Sequence, residues 1–221
     1  MNLIEQVFLD KKAKALAMGG AEKLAKRKTQ GRLNARERID YLLDGGSFVE
    51  SGLFSTSSVA SEKDRSPCDG KITGFGKING RRVSLVSNDF TVFGASSAAV
   101  NGKKIGHIKK TATQRGMPLI FLGESSGARM PDHMGSAGMG SLLGNDGTQY
   151  RRTREIPWVS ATLGMSYGSS SWYSVMSDFN VMRKGAILAV SSPMLASMAI
   201  GEEVDPEALG GWRLHSEVTG F

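Results

Sequence analysis

Three rhythms of apolar and polar positions follow one another along these 221 residues. Residues 11–38 carry Ala and Leu at helical spacing among many charges, broken around Gly19-Gly20 and Gly31, which predicts two helical stretches. The segment "DGKITGFGKINGRRVSLVSN" switches to strand-compatible runs at 71–78 and 81–87, joined by Asn79-Gly80, the favoured pair for a type I′ hairpin. Residues 95–115 return to helical spacing, with Ala99, Ile105 and Ile108 on one face and Lys103, Lys104, Lys109 and Lys110 on others; Gly116 and Pro118 stop it. A short apolar strand follows in "PLIFL". The next cycle reads as a strand at 159–163, a small-residue turn at 164–171 and a helix at 172–182, with "AILAV" at 186–190 as a third buried strand. Short apolar strands alternating with helices predict an α/β architecture with parallel pairing.

Composition adds bounds. A chain that is 40% hydrophobic and 22% charged can bury a core of its own. The single cysteine, Cys68, lies in a polar stretch, which excludes a disulfide framework and a cysteine-rich metal site and fits a reducing, cytoplasmic compartment. With no run of about 18 apolar residues and no basic-then-apolar leader, neither a membrane partner nor a secretory signal is expected. The net charge of +7 lies almost wholly at one end: residues 1–38 hold 10 Lys and Arg against 4 Asp and Glu, and the remainder holds 18 against 17. Few aromatics stand beside those cations to stack on bases, so the reading is a solvated helical arm or a surface facing an acidic partner, not a nucleic-acid site. The chain thus divides into a basic helical arm, 1–44, and a domain, 45–221.

Two strands run into small-residue loops, "GESSGAR" and "GMSYGSSS". Such loops let backbone approach a ligand, and unpaired amides at a helix start can hold a developing oxyanion. "GESSG" also has the G-x-S-x-G spacing of a hydrolase nucleophile elbow centred on Ser125. That reading needs a histidine base and an orienting acid after the serine, and the three histidines are His107, His133 and His215, the last with Asp178 or Asp205 nearby in sequence. Pro131 stands where the elbow's helix should continue, which weakens the reading. Gly74, Gly76 and Gly80 belong to a hairpin and make no dinucleotide fingerprint.

"GRLNARERIDYLLDGGSFVE" at 31–50, "DGKITGFGKINGRRVSLVSNDFTVFGAS" at 69–96, "SSGAR" at 125–129 and "EALGGWRLH" at 207–215 resemble, in order and spacing, the carboxyltransferase (β) subunits of biotin-dependent acyl-CoA carboxylases, the propionyl-CoA and methylcrotonyl-CoA carboxylase group. The resemblance implies a crotonase-like fold of stacked ββα units. It also implies carboxyl transfer from carboxybiotin to the α-carbon of an acyl-CoA, with backbone amides steadying the thioester enolate. The family's Ser-Gly-Gly-Ala-Arg falls on residues 125–129, which makes the amides of Ser126, Gly127 and Ala128 oxyanion candidates; its second Gly-Gly pair falls on Gly168 and Ser169. Arg129 is a candidate to touch substrate or to brace the loop. Phe90 and Phe93 are core residues or channel walls, and Lys103, Lys104 or the arm are candidates for the CoA phosphates.

Two departures accompany the resemblance. Serines at 126 and 169 replace family glycines, which would be strained if either position needed a positive φ. The chain also corresponds to the N-terminal half of such subunits, which leaves the 45–221 domain incomplete at its C-terminus. The implied partners are a biotin carboxyl carrier, a biotin carboxylase subunit and a second carboxyltransferase half, in a homo- or hetero-oligomer. A biotin-independent malonyl-type decarboxylase or lyase, and a non-catalytic CoA-binding module, are the alternatives on the same fold.

Overall fold

A computed structural model describes residues 2–136, 138 and 155–221. Among the described residues the strands form a seven-stranded sheet in the order β1-β2-β3-β4-β5-β6, with β7 pairing on β5. They are β1 (Val49–Ser51), β2 (Lys71–Ile78), β3 (Arg81–Asn88), β4 (Leu119–Ser125), β5 (Trp158–Tyr167), β6 (Phe179–Met182) and β7 (Ile187–Ala189). The first three are antiparallel neighbours; from β3 onward the pairing is parallel. Ile78 pairs with Arg81, so the hairpin turn is two residues long, and Asn79 and Gly80 take φ of 50° and 78°, the left-handed pair that a type I′ turn requires. The Asp44 carboxylate accepts both of their amides at 2.8 Å.

Alternation along β3 and β4 sends side chains to two faces. Val83, Leu85, Ile120 and Leu122 pack with Ala15 of α1 (Leu3–Leu16), Ala35 and Ile39 of α3 (Ala35–Leu42) and the adjoining Met18 and Leu43, with half-buried Leu24 of α2 (Ala21–Thr29) against them. Val86, Leu119 and Phe121 pack on the other face with Ile105, Ile108 and Ala112 of α4 (Ala99–Arg115) and Tyr173 of α6 (Ser169–Val175); the short helix α5 (Met130–His133) follows β4. The chain closes with α7 (Pro193–Ile200), α8 (Pro206–Gly210) and α9 (Trp212–Leu214). Asn2 and Asn34 cap α1 and α3 with reciprocal bonds to Glu5 and Glu37, which explains why such polar sequences start helices there.

The structure corrects several expectations. The N-terminal helices are solvated over most of α1 but anchored to the sheet domain further on: Arg27 and Arg38 are buried, and Gly19 approaches Thr91 so closely that a Cβ on it would lie 2.2 Å from the Thr91 carbonyl oxygen. The helix expected from 95 begins at Ala99, because Phe93, Gly94 and Ala95 take φ of 47°, 58° and 50°. The turn expected at 164–171 is half strand and half helix start, since β5 continues to Tyr167, where its last residues pair with β7, and the next helix begins at Ser169 after Gly168. Gly164 is required by close packing and not by a turn, as a Cβ there would meet the Glu124 carboxylate at 2.4 Å. The helix expected at 172–182 ends at Val175; Asp178 then accepts from the Trp158 amide at 2.8 Å and β6 begins.

Candidate active site

Parallel strands carry their loops to one end, and here the carboxyl ends of β3, β4 and β5 deliver three segments to one place. The Ser97 amide donates to the Gly127 carbonyl at 2.7 Å, and the Arg129 amide donates to the Ser97 carbonyl at 2.9 Å. Ser97 and Ser169 share a hydroxyl hydrogen bond of 2.6 Å. Gly127 and Gly168 touch: a Cβ on Gly168 would lie 3.7 Å from the Gly127 Cα. Their φ values of 101° and 64° belong to glycine's range, which explains the residue type at both. The two small-residue loops therefore meet, with the 93–97 segment bonded to both.

The amides are not equivalent. Ser126 donates to the Gly94 carbonyl at 2.9 Å, Gly127 to the Ser125 hydroxyl at 3.2 Å, and Gly168 to the Val190 carbonyl at 3.1 Å, so these three candidates are engaged within the protein. The Ala128 amide has no acceptor among the described residues, nor have those of Ser169 and Ser170 in the first turn of α6. Ser126 and Ala128 are exposed and Ser170 is buried, so the open donors line both the mouth and the floor of the junction. Neither Ser126 nor Ser169 has a positive φ. The serines that replace family glycines thus cause no backbone strain.

Ser125 does not fit a nucleophile. Its side chain is fully buried, donates to the Ala95 carbonyl at 3.1 Å and accepts the Gly127 amide. His215 bonds Leu188 and Thr219 instead, His133 lies 2.9 Å from the Ser97 carbonyl, and His107 is exposed on α4. Asp205 caps α8.

The remaining candidates sort by what they touch. Arg129 is buried, ion-paired with Asp69, bonded to Ser96 and stacked 5.0 Å from the Phe93 ring, contacts that brace the loop. Phe93 also carries Arg65 at 5.2 Å. Phe90 and Phe93 are half-buried beside Gly94 and Ser126 and belong to neither core cluster, which corrects the core reading. Lys104 is buried and donates to the Cys68 and Lys71 carbonyls, so it is not available to phosphates. Lys103 is exposed, and no described contact joins it to the loops.

Several residues at this junction carried no functional signal in the sequence. Glu124, the residue before Ser125, is held by Arg27 and Arg38 at 2.7 Å each, with Arg32 at 3.8 Å. Burial alone would raise its carboxyl, but the Arg38 and Arg27 guanidiniums outweigh burial and hold it below the usual carboxylate range. Its carbonyl accepts the Asn88 amide group at 3.0 Å, and Asn88 also reaches the Ser170 hydroxyl at 3.1 Å. A closed cavity of about 10 Å³, lined by Lys71, Asn88, Gly123, Ser169 and Ser170 among others, lies beneath the loops. A carboxylate ending an apolar strand and a lysine opening another were the only sequence signs of this scaffold.

Comparison with known proteins places the chain. Residues 26–221 match the family described as carboxyl transferase domain. A propionyl-CoA carboxylase carboxyltransferase subunit of Haloferax mediterranei is 35% identical over 219 residues, covering 96% of this chain and 41% of that protein. The human mitochondrial propionyl-CoA carboxylase beta chain is 36% identical over 220 residues, covering 96% and 40%. Transcarboxylase 12S, solved with methylmalonyl-coenzyme A and methylmalonic acid bound, superposes with a TM-score of 0.86 at 30% identity, covering all of this chain and 44% of that one. The chain therefore spans about two fifths of the length of the relatives it matches.

Proposed function

The chain belongs to the carboxyl transferase domain family, with the crotonase-like fold, and on that premise we propose that it is the acyl-CoA-binding half of a biotin-dependent carboxyltransferase. The observation that carries this reading is the junction of two glycine-containing loops at the strand ends, with open amides on Ala128 and Ser169. Those donors suit a thioester oxygen that becomes an enolate oxyanion, because they are fixed by the fold before any charge develops. Loss of one such donor typically costs on the order of 100-fold in rate.

Carboxybiotin on a carrier protein would supply the carboxyl group. The cavity under Ser169 and Ser170 is too small for it, so the carrier's group has to approach from the exposed side of Ser126 and Ala128. Half-buried Phe90 and Phe93 offer apolar surface for the acyl or pantetheine portion. For the CoA phosphates the N-terminal helices are better placed than Lys103: Lys23 bonds the Thr91 carbonyl at 3.1 Å, one residue from Phe90, and Arg32 keeps part of its side chain exposed beside Glu124. The second carboxyltransferase half, a biotin carboxyl carrier and a biotin carboxylase subunit complete the assembly in this reading. Propionyl-CoA is the acyl-CoA to try first.

The test is carboxyl transfer to propionyl-CoA by the chain assembled with a second carboxyltransferase half and a carboxybiotin-loaded carrier. Transfer that avidin abolishes is the expected result. Avidin-insensitive turnover of a malonyl-type CoA ester would instead establish the decarboxylase, and binding without turnover under any condition would leave a CoA-binding module.

A further inference from the structure

Lys71 opens β2, is 1% exposed and, among the described residues, spends its side-chain nitrogen on a single hydrogen bond, to the Ala95 carbonyl at 2.7 Å. A buried ammonium with one acceptor for three N–H groups is a cost to folding, so packing stability does not explain it. Its acceptor is unusual. Ala95 ends a run of three consecutive left-handed residues, two of them non-glycine, and such backbone persists only where the surroundings over-determine it. The loops of the proposed acyl site hang from this run: the Ser126 amide bonds the Gly94 carbonyl, and the Ser125 hydroxyl bonds the same Ala95 oxygen that Lys71 holds. Lys71 also lines the small cavity that Ser169 and Ser170 line. It therefore touches the support of both loops.

We infer that Lys71 is a positioning residue of the acyl site, whose side-chain nitrogen fixes the Phe93–Ala95 backbone that sets the two loops and whose charge lies beneath them. The inference rests on the acyl-CoA reading above. The charged groups facing Lys71 are Asp69 from the segment before β2, Arg129 from the loop after β4 and Lys104 from α4. Burial first, then Arg129 and Lys104, outweigh Asp69 and lower the amine to about 7, so its charge changes within the working range. A protonated Lys71 adds positive potential under the acyl group and a neutral one does not, while either form can donate to Ala95.

The experiment uses the full chain and calorimetric affinities for malonyl-CoA and propionyl-CoA from about pH 6 to about pH 8.5. Their ratio cancels the CoA portion and reads the preference for a carboxylate at the acyl end. The ratio is expected to fall severalfold across that range in the parent, with a midpoint near 7. Lys71→Gln, which keeps a donor and loses the charge, should retain propionyl-CoA affinity within about twofold with a flat ratio. Lys71→Met, which loses both, should bind propionyl-CoA about 10-fold more weakly, the scale of one charged hydrogen bond. A pH-independent ratio in the parent overturns the inference even if neither variant folds, and so does a folded Lys71→Met that matches the parent in both readouts. Failure of the parent to bind either thioester is a different outcome, and it rejects the acyl-CoA reading together with what rests on it.

Discussion

The Ser125 hydroxyl sits between the Ala95 carbonyl and the Gly127 amide with no exposed surface. A fluorophosphonate is accordingly expected to leave it unlabelled in the folded chain, and stoichiometric labelling would reinstate the nucleophile. One residue on, Ser126 is exposed with an amide that already bonds Gly94, and its φ is not left-handed. Ser126→Gly should therefore change CoA-ester affinity by no more than about twofold, because glycine's extra freedom is not used there. Two other groups predict a pH signature for stability. Lys71 is lowered from 10.5 to about 7 by burial, so the unfolded state binds the extra proton between those values and stability rises with pH across that window. Burial raises the Cys68 thiol from 9.0 to about 12, so above about 9 the unfolded state loses a proton that the folded state keeps and stability falls. Melting temperature against pH should rise beyond neutrality and turn over above about 9; Lys71→Met should flatten the rise and Cys68→Ala the decline.

Among the elements, Glu124 joins two helices to one strand. Arg27 on α2 and Arg38 on α3 both end on its carboxylate, which is 1% exposed, and its backbone carbonyl leads through Asn88 to Ser170. Breaking a buried ionic group by removing one partner costs about 3–5 kcal/mol, so Glu124→Gln should lower the melting temperature by many degrees and weaken ester binding with it. Lys14→Met, which removes an exposed ion pair with Asp64, should leave the melt unchanged. The same elements show what the sequence could carry. The hairpin was readable because Asn79-Gly80 and strict flanking runs are local signals, and the loops after β4 and β5 were readable as small-residue runs. The extension of β5 was not, since Gly164 is glycine to admit the Glu124 carboxylate, a contact with a residue 40 positions away. Arg27 and Arg38 looked like solvated charges for the same reason: their acceptor is on a distant strand.

Across the whole molecule, the net charge of +7 is concentrated in the N-terminal helices, two of which reach the carboxyl ends of β3 and β4 through Lys23, Arg27 and Arg38. Part of that charge is neutralised internally by Glu124, which separates groups that the composition alone merges: Arg27 and Arg38 are buried on its carboxylate, whereas Lys23 and Arg32 keep surface open to solvent. An anionic nucleotide handle arriving at this end should feel the residual field, and such attraction is screened over about 10 Å at 0.1 M salt. Affinity for propionyl-CoA should thus fall severalfold between about 0.05 and about 0.5 M salt, while the corresponding pantetheine thioester, which lacks the nucleotide phosphates, should bind more weakly and hardly respond. Lys23→Met and Arg32→Met together should reduce the salt slope without shifting the melting temperature as Glu124→Gln does. Equal salt responses of the two thioesters would show that the N-terminal helices serve the fold alone, and the phosphates would then have to be sought at Lys103 or on a partner.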